Sequence, residues 1–349
     1  ARAVRDEDSF NVTAVHDWLT ERVPGLTGPA EVKQFPGGAS NLTYLLRYPE
    51  RDLILRRPPR GTKARSAHDM RREHTIQSRL KPVFRYVPEM LALCTDESVI
   101  GSDFYVMERL DGIILRRDLP PGLTLSPAAA RQLCHTVIDR LVELHSIDPA
   151  AAGLDEIGKG HGYVRRQVTG WSDRYRKART WNVPTFGSVM TWLHANQPDD
   201  VRTCVIHNDF RFDNVVLSPE ASRHGLSVVG ILDWEMATLG DPLMDLGGSL
   251  AYWTQADDGR GAAFLRRQPT HLPGMLTRRE VVDYYCAKTG ITPENWTFYE
   301  VFGLFRLAAI AQQIYYRYFH RQTHNPAFKH IWIGVHQLHR KARQLVKAT

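Results

Sequence analysis

An α+β fold, with a small β-rich N-terminal lobe followed by a large α-rich C-terminal lobe, is what the order of local patterns predicts. Two observations carry that expectation. Strand-like apolar runs broken by Gly, Pro and charged turns cluster before residue 108, and long helical periodicity takes over beyond Gly112. The length of 349 residues accommodates both lobes, each with its own core. The expected division is 1–107 and 108–349, with a hinge over about 106–112.

In the first lobe the strand candidates are 31–35, 43–48, 53–57 and 104–107. One helix is expected among them, over 67–80, with Ser66 as its cap and with Met70, Glu73 and Ile76 on one side by three-residue spacing. In the second lobe Ser126 followed by Pro127 reads as a cap and first turn, and Leu133, Val137, Leu141 and Leu144 keep helical spacing toward a core. Short strands are expected at 204–207, 215–217 and 226–232, and most of what remains reads as helix. No internal repeat or low-complexity tract is present.

Composition narrows the class. With 43% hydrophobic and 24% charged residues the chain reads as soluble and globular. The net charge of +7 favours anionic partners such as nucleotides, phosphorylated metabolites, coenzyme A esters or nucleic acid. Cys94, Cys134, Cys204 and Cys286 are far apart, lack metal-type spacing and read as reduced core thiols. The polar start at 1–10 does not resemble a secretory signal, and the apolar run 302–314 is interrupted by Arg306, so a cytoplasmic protein without a membrane partner is expected.

Chemistry concentrates in two segments. The first, His207-Asn208-Asp209-Phe210-Arg211-Phe212-Asp213-Asn214, lies between apolar strand-like runs and has the form of a phosphoryl-transfer loop. Such transfer needs a carboxylate beside the attacking hydroxyl, for which Asp209 is the candidate, and an amide oxygen to hold Mg²⁺, for which Asn214 is. The second is the apolar strand Val228-Val229-Gly230-Ile231-Leu232 ending in Asp233-Trp234-Glu235. Asp233 suits a hard dication that prefers carboxylate oxygen. Taken singly, each segment also fits a polar turn, where Asp and Asn are common.

The order of these segments resembles the aminoglycoside phosphotransferase and choline kinase superfamily, protein-kinase-like enzymes acting on small molecules, over nearly the whole chain. By that resemblance Phe35-Pro36-Gly37-Gly38-Ala39-Ser40-Asn41 looks like the nucleotide loop, with Gly37, Gly38, Ser40 and Asn41 against phosphate. The strand Leu53-Ile54-Leu55-Arg56-Arg57 looks like the one carrying the phosphate-pairing cation, and Glu73 like its helix partner. Phe104 to Arg109 looks like the adenine-binding hinge, with Glu108 and Arg109 at the nucleotide. His207 reads as a structural anchor of the loop, which already has its carboxylate, while Asp245 is implied by the resemblance as a support of the catalytic-loop backbone, and ATP or GTP with Mg²⁺ as co-substrate and metal. Within the superfamily, Gly162 to Gln167, Trp171, Asp233-Trp234-Glu235, Gly240-Asp241-Pro242 and Phe305-Arg306-Leu307 resemble the bacterial group related to the kinase-like domain fused to some acyl-CoA dehydrogenases, which implies a hydroxyl on an acyl chain as acceptor.

Two departures from the superfamily pattern stand out. Arg56 or Arg57 replaces the usual lysine, with Arg56 favoured and Arg57 expected to be exposed. Asn208 stands where relatives commonly have glycine, which calls for an unusual backbone conformation that asparagine tolerates. Asp241-Pro242 reads as a helix cap rather than a ligand, and Tyr315, Tyr316, Tyr318 and Phe319 as core and groove lining.

The acceptor is expected to be a small-molecule hydroxyl, neutral or anionic, because bases outnumber acids after Thr277, the reverse of a polycation site. Its pocket is expected from 162–175, with Arg165, Arg166 and Arg174, and from 283–318. A protein kinase is disfavoured by the short path from Asp233 to Gly240 and the missing Ala-Pro-Glu. A catalytically silent nucleotide-binding scaffold and an aminoglycoside kinase remain as alternatives, and nucleic acid is not an expected partner.

Overall fold

The computed structural model describes residues 1–36, 41–59, 69–218, 225–259 and 266–349. These form two units. The first takes in 1–112 together with 152–157 and 229–235, and the second takes in 113–151, 158–228 and 236–349.

The first unit is built on a five-stranded antiparallel sheet of β1 (Glu31–Gln34), β2 (Leu42–Arg47), β3 (Asp52–Arg57), β4 (Met90–Cys94) and β5 (Phe104–Glu108), in the order β1-β2-β3-β5-β4. Alternation along β3 decides its chemistry. Leu53 and Leu55 join Val15, Leu19, Tyr44, Leu46, Phe104 and Val106 in one cluster, under α1 (Val12–Thr20). Ile54 joins Leu45, Met70, Tyr105 and Met107 in another, under α2 (Met70–Leu80). Side chains of a strand point to opposite faces at period two, so Arg56 shares the α2 face and Arg57 the α1 face.

That geometry corrects the expectation for Arg57. It is 1% exposed rather than solvent-facing, because the N-terminal segment covers the second face of the sheet. Its guanidinium donates to the Asp8 carbonyl at 2.6 Å and to the Tyr44 hydroxyl at 3.1 Å, with the Phe10 ring 5.6 Å away. A second correction concerns α2: its cap is Asp69, accepting from the Arg72 N–H at 2.9 Å, whereas Ser66 and Ala67 lie outside the described residues. A short helix, α3 (Glu97–Ile100), completes this part of the chain. Of the later segments, 229–235 joins through the Ile231 N–H, which donates to the Tyr86 carbonyl at 2.6 Å. Gly230 permits the approach, since a Cβ there would lie 2.2 Å from Leu110 Cδ1.

The second unit is mainly helical: α4 (Pro127–Ser146), α5 (Tyr163–Ala178), α6 (Gly187–Ala195), α7 (Pro242–Leu250), α8 (Arg278–Thr289), α9 (Trp296–Phe319) and α10 (Ile331–Ala348). Ser126 caps α4 through the Ala129 N–H at 3.2 Å, and Leu133, Val137, Leu141 and Leu144 are all buried. Helices α7 and α9 cross at glycines, because a Cβ on Gly303 would lie 2.2 Å from the Gly247 carbonyl oxygen. Short strands β6 (Ile113–Ile114), β7 (Cys204–Ile206) and β8 (Val215–Ser218) belong here, β9 (Ser227–Ile231) leads into the 229–235 segment of the first unit, and β10 (Thr238–Gly240) pairs with β7 as β6 does with β8. Cys94, Cys134 and Cys204 are buried free thiols, while Cys286 on α8 is only half-buried, a departure from the core reading. No helix among the described residues is long and apolar enough to cross a membrane.

Candidate functional site

In the second unit, β7 delivers the chain to His207 and the loop that follows. Its backbone is tied to α7: the Asp245 carboxylate accepts the His207 N–H at 2.8 Å and the Asn208 N–H at 2.8 Å. Asp245 is 1% exposed and is itself backed by His145 Nε2 at 3.0 Å, whose Nδ1 lies 2.7 Å from the Tyr285 hydroxyl. Burial would raise the Asp245 carboxyl, but the hydrogen bond and charge of His145 and the His207 N–H hold it below the ordinary aspartate range. His207 is fully buried, and its Nδ1 accepts the Asp209 N–H at 3.2 Å.

Asn208 adopts the left-handed region, with φ 65°. Every polar group it carries is engaged. Besides the N–H on Asp245, its carbonyl accepts from Arg306 Nη2 at 2.7 Å, its side-chain oxygen accepts from the Tyr163 hydroxyl at 3.0 Å, and its amide nitrogen donates to the Met236 carbonyl at 3.1 Å. Tyr163 opens α5, whose first N–H groups are accepted by Asp200 at 2.9 and 2.8 Å. An asparagine in place of glycine is therefore held by four partners, Asp245, Arg306, Tyr163 and Met236.

This backbone presents Asp209. Its Oδ2 accepts from Arg211 Nη2 at 3.0 Å and from Asn214 Nδ2 at 3.0 Å, and Asn214 Nδ2 also reaches the Asp209 carbonyl at 2.8 Å. Arg211 pairs in addition with Asp213 at 3.1 Å and lies 4.4 Å from the centre of the Tyr252 ring. Asn214 ends a 3₁₀ turn, Phe212–Asn214, held by the Phe212 N–H on Gln268 Oε1 at 2.7 Å. Asp241 caps α7 through Leu243 and Met244 N–H groups at 2.8 and 3.0 Å and also accepts from Val201, as a cap should, and burial pushes its carboxyl up to about 6.

In the first unit, Arg56 is the centre of an acidic cluster. It is 8% exposed, and its guanidinium lies 3.1 Å from Asp233, 3.6 Å from Glu235 and 3.7 Å from Glu73. Burial opposes its charge, but Tyr105 and these three carboxylates raise its affinity for the proton above the ordinary arginine value. Glu73 is pushed up by burial despite Arg56. It accepts from the Tyr105 hydroxyl at 2.9 Å and from Asn41 Nδ2 at 2.8 Å, and the same amide nitrogen reaches Glu235 at 3.0 Å. Asp233, with φ 68°, is held in the left-handed region two residues after the end of β9.

Of the other expected nucleotide residues, Gly37, Gly38 and Ser40 lie outside the described residues. Glu108 accepts from Lys81 Nζ at 3.0 Å and from the Glu89 N–H at 2.7 Å, and Arg109 pairs with Asp52, so both hinge side chains have partners within their own unit. Sequence reasoning passed over His145, Asp200 and Tyr285, and quoted Tyr163 and Arg211 within their segments without giving either a role. For Arg211 a signal existed, a cation two residues after Asp209 in the loop. His145 continues the apolar stripe of α4 four residues after Leu141, where a histidine reads as core.

The sheet with its covering helix, the helical unit and the anchored Asp209 loop together define the kinase-like class. A family model described as the phosphotransferase enzyme family matches residues 31–281, and the chain belongs to that family. Acyl-CoA dehydrogenase family member 10 of Mus musculus is 40% identical over 294 residues, covering 83% of this chain and 27% of that protein. Acyl-CoA dehydrogenase family member 11 of Rattus norvegicus is 35% identical over 326 residues, covering 90% of this chain and 40% of the relative. The chain thus spans less than half the length of these relatives. Among solved structures, a candidate aminoglycoside phosphotransferase of Ralstonia eutropha JMP134 superposes with a TM-score of 0.77 at 30% identity, covering 96% of this chain and 99% of that one.

Proposed function

We propose that this chain is a small-molecule kinase that moves the γ-phosphoryl group of ATP or GTP to a hydroxyl of a neutral or anionic acceptor, a hydroxyacid or hydroxyacyl thioester rather than an aminoglycoside. The observation that carries the reading is the holding of Asp209: one carboxylate oxygen receives both Arg211 and Asn214, on a backbone clamped by Asp245 and Arg306. Such an orientation suits a base that takes the acceptor's proton as its oxygen bonds to phosphorus and the bond to the departing diphosphate breaks.

Asp233 and Asn214 are the proposed Mg²⁺ ligands, and their chemistry fits. Asn214 uses its amide nitrogen on Asp209, which turns the amide oxygen to other duty, and the Asp233 side chain is 35% exposed at the edge of a cluster with more carboxylates than cations. When bound, the ion supplies charge neutralisation for the phosphates. Arg56, oriented by Glu73, is the proposed phosphate cation. Gly37, Gly38, Ser40 and Asn41 form the proposed nucleotide loop, and Glu108 and Arg109 flank the base at the hinge between functional lobes 1–107 and 108–349. The basic surplus after Thr277 and the kinship with acyl-CoA dehydrogenase fusion proteins support an anionic acyl acceptor.

The test is nucleotide consumption by purified protein against hydroxyacids, hydroxyacyl thioesters, amino alcohols and kanamycin-like polyamines. Turnover of an anionic acceptor is expected, and Asp209→Asn should lower kcat by ~10²-fold or more with nucleotide affinity nearly intact. Near-normal kcat in that variant removes Asp209 as the base. Aminoglycoside turnover without any anionic acceptor overturns the substrate assignment, and nucleotide binding without turnover points to the silent scaffold.

A further inference from the structure

Arg306, in the middle of α9, is 6% exposed, and its guanidinium has no carboxylate within ion-pair distance among the described residues. That is an unusual state for arginine. A charge withdrawn from water is ordinarily paired, because one neutral hydrogen bond returns only part of the lost hydration. Here the return is the 2.7 Å bond from Nη2 to the Asn208 carbonyl and a face of the Trp171 ring, whose centre lies 5.4 Å from the guanidinium carbon. A second cation, Arg174, lies 4.6 Å from the same ring but is solvent-exposed. Nη1 reaches toward Gly248, where even a Cβ would stand 3.2 Å away, so the helix surface is pared back to receive the group.

The other bases after Thr277 are accounted for differently. Arg278 and Lys341 are neutralised by Asp258 at 2.6 and 3.2 Å, and the remaining lysines and arginines are solvent-exposed. Arg306 alone among them is both buried and unneutralised, and it is bonded to the residue next to Asp209.

We infer that Arg306 is the anion reader of the acceptor: its guanidinium binds a carboxylate carried by the same small molecule whose hydroxyl meets Asp209. The fork of a guanidinium matches the two oxygens of a carboxylate, and Nη2 already fixes the plane of the group before the acceptor arrives. Arg306 thus selects acceptors by charge, while its bond to Asn208 makes acceptor binding felt at the loop that holds Asp209. This rests on the kinase reading for its turnover arm; the binding arm stands without it.

The probes are γ-hydroxybutanoate and its amide, which share length and hydroxyl and differ in charge. Affinity is measured by calorimetry, and nucleotide consumption is followed in parallel, for the parent, Arg306→Gln and Arg306→Lys. The parent should bind the carboxylate about tenfold or more tighter than the amide, a preference falling to about one in Arg306→Gln and to an intermediate value in Arg306→Lys, which keeps charge but loses the fork. Equal binding of the two probes by the parent overturns the inference. So does a preference that survives unchanged in either variant; Arg306→Lys decides alone if Arg306→Gln fails to fold. Arg306-dependent carboxylate binding without turnover of any acceptor leaves this site standing and removes the kinase reading. Turnover whose carboxylate preference ignores Arg306 does the reverse.

Discussion

Arg56 and Arg306 are both buried guanidiniums, one in each unit, and their surroundings are opposite. Around Arg56 stand Asp233, Glu235 and Glu73, more negative charge than one cation can balance. Around Arg306 stand a carbonyl, an aromatic face and a glycine, with no carboxylate in ion-pair reach among the described residues. A site with surplus carboxylate is prepared for added positive charge, and one with an unneutralised cation for added negative charge. On the proposed function, the same residue type marks the metal-nucleotide side in one unit and the acceptor-anion side in the other.

The largest effect should come from the acidic side. Asp233→Ala is expected to abolish Mg²⁺-dependent nucleotide binding, because it removes the proposed carboxylate ligand, whereas Asn214→Ala, which removes the proposed neutral amide ligand, should weaken it by roughly tenfold. Titration of nucleotide with and without Mg²⁺ separates the two. Equal, parent-like binding in both variants would place the metal elsewhere and leave the carboxylates around Arg56 as an architectural cluster.

The contrast sharpens further when each arginine is replaced by methionine, which keeps most of the stem and discards the charge. Arg56→Met leaves buried Glu73 facing Asp233 and Glu235 uncompensated, and should cost about 3 kcal/mol of unfolding free energy, part of it restored by millimolar Mg²⁺. Arg306→Met leaves one carbonyl short of a donor and should cost only about 1 kcal/mol. Denaturant midpoints give both values. If the two losses are equal, or if Mg²⁺ stabilises both variants alike, the two sites are not electrostatic opposites.

Much of this arrangement could be read from the chain before any coordinates, and the gaps have definite causes. Four of the five strands of the sheet, the Ser126 cap and the buried stripe of α4 follow from periodicity and capping. The left-handed backbone at Asn208 follows from an asparagine standing where small, permissive residues are usual. Arg57 misled because a strand pattern predicts opposite faces but not what covers them, and the covering segment, including Asp8 and Phe10, is distant in sequence. Strand β4 hid in an apolar run of only five residues ending at Cys94, and α1 in a short stretch of mixed polarity. Burial of Arg306 was out of reach in principle, since its surroundings depend on Gly248 of α7 and on Trp171 of α5, which meet it only in three dimensions.

The smallest expected effect concerns pH and the anchor of the Asp209 loop. Asp245 is held below the ordinary aspartate range of 3.8 by His145 and by the loop N–H groups, in spite of complete burial. A carboxyl whose folded value is depressed contributes stability that is present above its unfolded value and is lost as pH falls through the folded one, because the unfolded chain binds the proton first. Glu73, raised by burial, has the opposite sign: its folded form takes up the proton first, so its contribution declines as pH rises above 4.5. Asp245→Asn keeps the shape and one acceptor but turns an amide N–H toward a backbone donor, and should cost ~2 kcal/mol at neutral pH. The gap between parent and variant in denaturant midpoint should stay constant from pH 7 to about 5 and then close as the pH drops below about 3.8, since the parent alone loses the ionised acceptor there. A gap that is the same at pH 3 as at pH 7 would mean that Asp245 anchors the loop as a neutral hydrogen-bonding group, and the charge-based account of the loop would have to yield to one based on shape alone.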